Sequence, residues 1–360
     1  MKILLNTTKD KTVGSSRIWI YDLHSYLTKL GLEPDLNVWD KYNHYDVVIF
    51  EKGISINELS KVKKQNKYIQ CGIINPSDEK RINIKNIISN IKISTENPFD
   101  LLKEADFYLV GSVEERDYLL QYSKNVLIFP LIESQFSKVK QHKNETTITL
   151  SYHGNLQHLH QFEPNLKNAL ERLKTVYPIR LIAVYNKKQF GEWKYGRPNI
   201  PVETYQWNID TIEDILLTSD IGLVPCVNIT TKTKQRIISV FSKLFFYKQE
   251  NNGNDYLLRF KNKGNAGRAF VYHQLGIPVV AGFIPSMGHI IGTNQNGFMA
   301  HSESGWYYAI EELIKSRDLR QNMADKARVD FEKNYDSTKW TEALYQKLII
   351  LVESSGQLSR

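Results

Sequence analysis

The residues best suited to chemistry lie in one stretch, Arg259 to Ala281, which reads RFKNKGNAGRAFVYHQLGIPVVA. Lys261, Lys263 and Arg268 surround Gly264, Asn265 and Gly267 just ahead of an expected helix over 269–275. Free backbone N–H groups at a helix start, the positive end of its dipole and nearby cations together make a site for phosphate. The same residues also suit an ordinary basic surface loop, because glycine and lysine are common in turns. Gly276 is placed to stop the helix and Pro278 prevents its continuation. Pro278-Val279-Val280-Ala281 then reads as a strand covered on both faces.

Such a loop needs a sheet to hold it, and the chain supplies two sets of strands. At 360 residues it can form two domains, each with its own core. In the first part, apolar runs at 2–5, 45–50, 67–74, 106–110 and 126–130 alternate with helical patterns, the first of them over 17–30. Alternation of this kind specifies a parallel sheet, whose ligands collect at the carboxyl ends of the strands. That rule brings Glu51, Lys52, Asn75, Ser77, Asp78 and Ser112 to one rim, although polar residues after strands also serve as caps and turns. Gly14-Ser15-Ser16-Arg17 could bind an anion on the acceptor side, or Ser15 or Ser16 could simply cap the helix. Lys138 to Glu145 has a linker's composition, giving domains at 1–137 and 147–336 joined by 138–146. A second α/β pattern follows, with strands at 147–152, 179–184 and 202–207, helices at 165–176 and 212–218, and a last helix over 338–352.

Composition narrows the partners. The chain carries 47 Lys and Arg against 39 Asp and Glu, a net charge of +8, which favours an anionic partner such as a nucleotide, an acidic glycan or an anionic membrane surface. No zinc-finger, RNA-recognition or helix-turn-helix signature is present, so no nucleic-acid partner is expected. Cys71 and Cys226 make neither a disulfide framework nor a zinc set. No apolar run reaches the roughly 18–20 residues of a membrane span, and the first residues lack a signal peptide's apolar core, so a cytoplasmic protein is expected, with peripheral contact at the inner membrane face.

In order along the chain, several segments resemble the C-terminal domain of GT-B-fold glycosyltransferases. They are Ser219-Asp220-Ile221-Gly222-Leu223-Val224-Pro225, the Leu275-Gly276-Ile277-Pro278-Val279-Val280-Ala281 turn and strand, Asn296-Gly297-Phe298, and the helical tail from Trp306 through Arg328. The resemblance implies an α/β, GT-B architecture: two Rossmann-like domains facing a cleft, with a final helix over 337–360 that crosses back to the first. It also implies transfer of a sugar from a nucleotide-activated donor to a glycan or glycolipid, as in surface polysaccharide synthesis. Under it, Gly154 and Asn155 form a glycine loop at the diphosphate, His153 contacts phosphate or sugar, and Trp207 and Asn208 lie against the base. Each of these also has a structural reading, as a turn histidine or a buried tryptophan. Residues 226–258 exceed the usual connection and read as an insertion.

The acidic Asp-x-Asp pair of metal-dependent transferases is absent from the sequence, so neither metal nor cofactor is expected and cations would stabilise the departing diphosphate. Retaining members often carry two glutamates eight positions apart; here Lys263 and Val271 occupy those places, which leaves stereochemistry open. An inverting reaction needs a general base, for which Asp78 and Glu51 are the rim candidates, with Asp22 and His24 behind them. Two alternatives share the fold: nucleotide-dependent transfer of a phospho-group, and a non-catalytic nucleotide- or glycan-binding subunit.

Overall fold

The computed structural model describes residues 1–76, 103–133, 135–155, 159, 162, 165–226, 266–292 and 295–356. The chain divides into two compact units, Met1–Glu133 with Tyr335–Arg360, and Ser134–Asn334.

The first unit opens with β1 (Ile3–Asn6), whose four residues are all buried. A loop leads into one helical run, α1, made of an α turn Gly14–Ser16, a π-helical stretch Arg17–Asp22 and an α-helical stretch Leu23–Lys29. There follow β2 (Asp35–Leu36), β3 (Val47–Glu51), α2 (Ile56–Gln65), β4 (Gln70–Ile74), β5 (Phe107–Val110), α3 (Val113–Leu119) and β6 (Val126–Ile128). All strands pair in parallel in the order β2-β1-β3-β4-β5-β6. A parallel sheet covered on both faces explains why β3 and β4 are buried at every position instead of alternating.

The helical run begins at Gly14, three residues before the start expected from the apolar pattern. Arg17 N–H bonds Val13 O at 2.9 Å, which closes the first turn ahead of that pattern. Ser15 and Ser16 therefore lie inside the helix and do not cap it; the cap position is Val13, which has no side-chain acceptor.

The second unit contains β7 (Ile148–His153), α4 (Asn165–Lys174), β8 (Ile179–Tyr185), β9 (Val202–Gln206), α5 (Ile212–Leu217), β10 (Ile221–Val224), α6 (Gly267–Gln274), β11 (Val279–Gly282), β12 (Gly297–Ala300), α7 (Glu303–Lys315) and α8 (Arg317–Asn334). Its parallel strands run β12-β11-β10-β7-β8-β9, so the order reverses between β7 and β10. That reversal is where an open α/β sheet leaves a crevice for a ligand. The helix α6 ends at Gly276, which adopts φ +67°; Ile277 N–H reaches back to Tyr272 O at 2.9 Å and Gly276 N–H to His273 O at 3.2 Å. This Schellman-type closure turns the chain directly into β11.

The segment with a linker's composition is tied to the second unit. Lys140 N–H bonds Leu275 O, buried His142 meets Gly276 O through Nε2 at 3.0 Å, and Arg317 and Arg320 donate to the carbonyls of His142 and Lys143. Its polar side chains and backbone satisfy groups at the helix ends and do not simply face water.

The final helix α9 (Ser337–Ser354) belongs to the first unit. Asp336 caps it, accepting from Thr338 N–H at 2.8 Å. Leu344, Leu348, Leu351 and Val352 join the core of Leu5, Leu23, Leu27 and Phe129. Full burial of one such side chain contributes about 1.5–3 kcal/mol, enough for the four to hold the helix there. Among the described residues no helix is long and apolar enough to cross a membrane.

Candidate functional site

In the second unit, β7 ends in Tyr152-His153-Gly154-Asn155. Gly154 has φ +139°, a backbone conformation that side-chain-bearing residues rarely adopt. A Cβ there would lie 2.9 Å from Tyr152 Oη and 3.0 Å from Arg268 Cδ, so space as well as conformation calls for glycine. Tyr152 is fully buried; its hydroxyl donates to Asn155 O at 2.7 Å and fixes the turn. Burial pushes that phenol up to about 12, with Arg268 opposing the shift, so it stays a neutral donor.

Arg268 sits in the first turn of α6, not in the loop ahead of it, because the helix starts two residues before the apolar pattern does. Its guanidinium lies over the Tyr152 ring at 5.6 Å, and Nη2 donates to Pro225 O at 2.9 Å, just past β10. The side chain thus links the ends of β7 and β10, the two strands at the reversal. Among the described residues its Nη1 is buried without a hydrogen-bond partner. A guanidinium with one edge fixed and one nitrogen uncommitted is prepared for an anion. His153 approaches Arg268 O through Nε2 at 3.3 Å and sets its ring edge-on to Tyr272 at 5.1 Å. Ala266 occupies the helix cap position and offers no side-chain acceptor there.

Gly154, Asn155, His153, Gly267 and Arg268 are thus brought together at one rim. Trp207 lies past β9, half-buried, its N–H on Tyr185 O at 2.8 Å. Asn208 is spent locally: its side-chain oxygen takes Asp210 N–H at 2.9 Å, and its carbonyl takes Thr211 and Ile212 N–H at the start of α5. Lys261, Lys263, Gly264 and Asn265 lie outside the described residues, as do Ser77, Asp78 and 227–258 of the expected insertion.

In the first unit Glu51, at the end of β3, gathers the loop after β1. Its carboxylate accepts from Lys9 Nζ at 2.9 Å, Ser16 Oγ at 2.7 Å, Ser15 Oγ at 3.3 Å and the Thr7 hydroxyl. Burial acts to raise its pKa, but the bonds from Thr7, Lys9 and Ser16 and the Lys9 charge outweigh it and hold the carboxyl below its ordinary value. Arg17 pairs with Glu133 at 2.8 Å, both buried. Ser112 caps α3, accepting from Glu115 N–H, and Asn75 ends β4 in a left-handed conformation at φ +46°. Asp22, at the end of the π-helical stretch, is pushed up to about 6 by burial, opposed by Arg17, Lys11 and Lys29 and assisted by Glu133. Among the described residues one of its oxygens, Oδ2, is buried without a partner. Sequence reasoning passed over Thr7 and Lys9, although both follow β1 on the rim that singled out Glu51.

No protein-family model and no curated protein sequence matches the chain. Solved structures do. Sucrose-phosphate synthase from Thermosynechococcus elongatus superposes with a TM-score of 0.65 at 11% identity, covering 98% of this chain and all of its own. The fold is GT-B. Two further GT-B structures cover the chain as fully. HepE of Anabaena, in complex with UDP and glucose, has a TM-score of 0.61 at 12% identity over 97% of this chain and 99% of its own. A glycosyltransferase from Rickettsia africae has a TM-score of 0.60 at 12% identity over 98% of both. At these identities the shared property is the GT-B fold; function has to be argued from the site.

Proposed function

We propose that the protein is a glycosyltransferase that moves a sugar from a nucleoside-diphosphate donor, held at the rim of the second unit, to a glycan or glycolipid acceptor. The observation that carries this reading is the uncommitted Nη1 of Arg268 beside the positive-φ Gly154. A diphosphate approaching the glycine turn would meet that guanidinium at the place where negative charge grows as the bond from sugar to phosphate breaks. Charge neutralised by Arg268, and by Lys261 and Lys263 ahead of it, makes the proposed reaction metal-independent. The solved GT-B neighbour with UDP and glucose bound lends support by analogy.

Glu51 is poorly suited to take a proton, because Thr7, Lys9, Ser15 and Ser16 already occupy its oxygens. Asp78 stays a candidate base from its sequence position, and Asp22 has a proton affinity matched to that task near neutral pH. The acceptor's setting is proposed from charge. The second unit carries 26 Lys and Arg against 18 Asp and Glu, whereas the first has 21 of each. An anionic inner leaflet presenting a glycolipid would attract the former. Binding to anionic vesicles that did not exceed binding to neutral ones at low salt would remove this part.

The test is a thermal-shift panel of UDP, GDP, CDP, CMP, dTDP and ADP on the wild type and on Arg268→Ala. One diphosphate nucleotide should stabilise the wild type, with affinity about 10- to 100-fold weaker in the variant, the range for a lost charge-assisted hydrogen bond. Stabilisation by none would favour a non-catalytic subunit. Turnover releasing a nucleoside monophosphate instead of a diphosphate would replace sugar transfer by phospho-group transfer.

A further inference from the structure

A cavity of about 480 Å³ lies in the second unit at the amino ends of β7, β8 and β10, walled by Lys140, Glu145, Thr149, Arg180, Thr218 and Asp220. At about 3.3 Å per residue along β7, Thr149 is roughly 16 Å from the turn at Gly154, and the donor-site argument uses none of these groups. The volume falls within the roughly 300–1,000 Å³ of small-molecule pockets.

We infer that this cavity binds a small zwitterion of the free α-amino acid class, its ammonium on Asp220 and its carboxylate on Arg180. Two opposite charges are held there on one residue. Asp220 Oδ2 accepts from Thr149 N–H at 2.9 Å, and Arg180 Nε donates to Thr149 Oγ1 at 2.9 Å. A carboxylate and a guanidinium tied to the same threonine match a molecule whose own charges flank a single carbon. Asp220 is 2% exposed, and among the described residues its other oxygen, Oδ1, makes no hydrogen bond. Lys140 Nζ lies 3.3 Å from that oxygen but donates to Leu217 O at 3.1 Å. A buried carboxylate oxygen in the wall of a cavity calls for a compact charged donor, which an ammonium is.

The balance of charge in the wall selects against simpler ligands. Lys140 and Arg180 oppose a lone cation, and Asp220 and Glu145 oppose a lone anion. A neutral polyol could bond at both ends but would bring an opposite charge to neither. Arg180 also pairs with Glu203 at 3.1 Å, but those side chains are 41% and 48% exposed, so the pair is weak and the guanidinium can serve a ligand at little cost. Lys140 and Glu145 belong to the segment that runs in ahead of β7, whereas Arg180 and Asp220 stand at the sheet. An occupant therefore bridges that segment to the sheet and stabilises the folded chain by mass action.

This site does not depend on the sugar-transfer reading, and its test needs no turnover. Saturation-transfer NMR on the full chain would screen the protein amino acids singly, and calorimetry would titrate each one that binds beside its methyl ester and its N-acetyl derivative, each of which removes one charge. At least one amino acid should bind, with both derivatives about tenfold or more weaker. Arg180→Gln should weaken the same amino acid about tenfold and leave nucleotide-induced stabilisation unchanged. Asp220→Asn should weaken it at least as much; because Asp220 also ties β10 to β7, Arg180→Gln and the two derivatives decide the matter if that variant does not fold. The inference is overturned if no amino acid binds, if the ester or the N-acetyl derivative binds as tightly as its parent, if Arg180→Gln has no effect, or if inorganic phosphate or glycerol displaces the amino acid at equal concentration. Failure of every nucleotide to stabilise the protein would instead count against sugar transfer and leave the amino acid results to stand alone.

Discussion

The two units are built alike and finished differently at their first strand-to-helix turns. Each has six parallel strands, and in each the turn after the unit's first strand collects hydroxyls, cations and glycine. In the first unit that turn satisfies itself, since Glu51 engages Thr7, Lys9, Ser15 and Ser16 within one buried network. In the second unit the turn has a glycine where a side chain would collide and an arginine with one nitrogen uncommitted. The net charge follows the same division, being zero in the first unit and positive in the second. On the proposed reading, one architecture would hold an anion at the second rim and not at the first, according to whether a carboxylate already occupies the turn.

The largest effect expected from breaking this contrast is at Gly154. Gly154→Ala would introduce a methyl group 2.9 Å from Tyr152 Oη and 3.0 Å from Arg268 Cδ, on a backbone at φ +139°. Strain of that kind costs about 1–3 kcal/mol, and displacing Arg268 should abolish nucleotide-induced stabilisation. Calorimetric unfolding with and without UDP measures both. A variant that kept its nucleotide response would show that the glycine is needed for the turn alone.

Within the first unit, Glu51→Gln should cost about 2–3 kcal/mol at neutral pH, because Lys9 and the hydroxyls lose a charged acceptor. The folded-state pKa of Glu51 lies below its ordinary value, so its contribution is complete above the ordinary carboxylate range and is lost as pH falls through the folded pKa. The variant should accordingly unfold in urea with a shallower acid-side loss of stability than the wild type. Asp22 has the opposite sign. Raised to about 6, it binds a proton more tightly folded than unfolded, so stability declines as pH climbs from about 4 to about 6. Asp22→Asn should match the wild type near pH 4 and exceed it at pH 8 by roughly 2–3 kcal/mol, the worth of a net shift that already includes the opposing charges of Arg17, Lys11 and Lys29. Equal stability of the two proteins at pH 8 would show that Asp22 is solvated in both states.

Much of the fold was legible because parallel strands buried on both faces are written as uninterrupted apolar runs, as in Val47 to Phe50 and Pro278 to Ala281. Gly276 announced its own left-handed turn through the proline that follows. The site was harder to read, for identifiable reasons. Arg268 was visible as a cation near glycines, but its stacking on Tyr152 and its bond to Pro225 join segments more than 40 residues apart. Ser16 looked like a helix cap because Ser is a cap residue; its actual partner, Glu51, is 35 residues away. The π-helical stretch that presents Asp22 leaves no mark in the apolar periodicity, since Ile18, Trp19, Ile20 and Leu23 are buried within it and beside it.

The smallest expected effect is also the sharpest control on the contrast between the turns. Gly14 opens α1 after the first strand, much as Gly154 follows β7, yet a Cβ built on Gly14 meets nothing within 4 Å, and its φ is not in the left-handed region. A glycine at such a position leaves the unfolded chain more freedom than alanine would, so Gly14→Ala should stabilise the protein by about 0.4–1 kcal/mol. Its nucleotide response should equal that of the wild type. A loss of nucleotide binding in Gly14→Ala would mean that the first turn also needs open backbone for an anion, and the division of labour between the two rims would have to be abandoned; a gain in stability alone places the requirement for bare backbone in the second unit, at the turn where Arg268 waits.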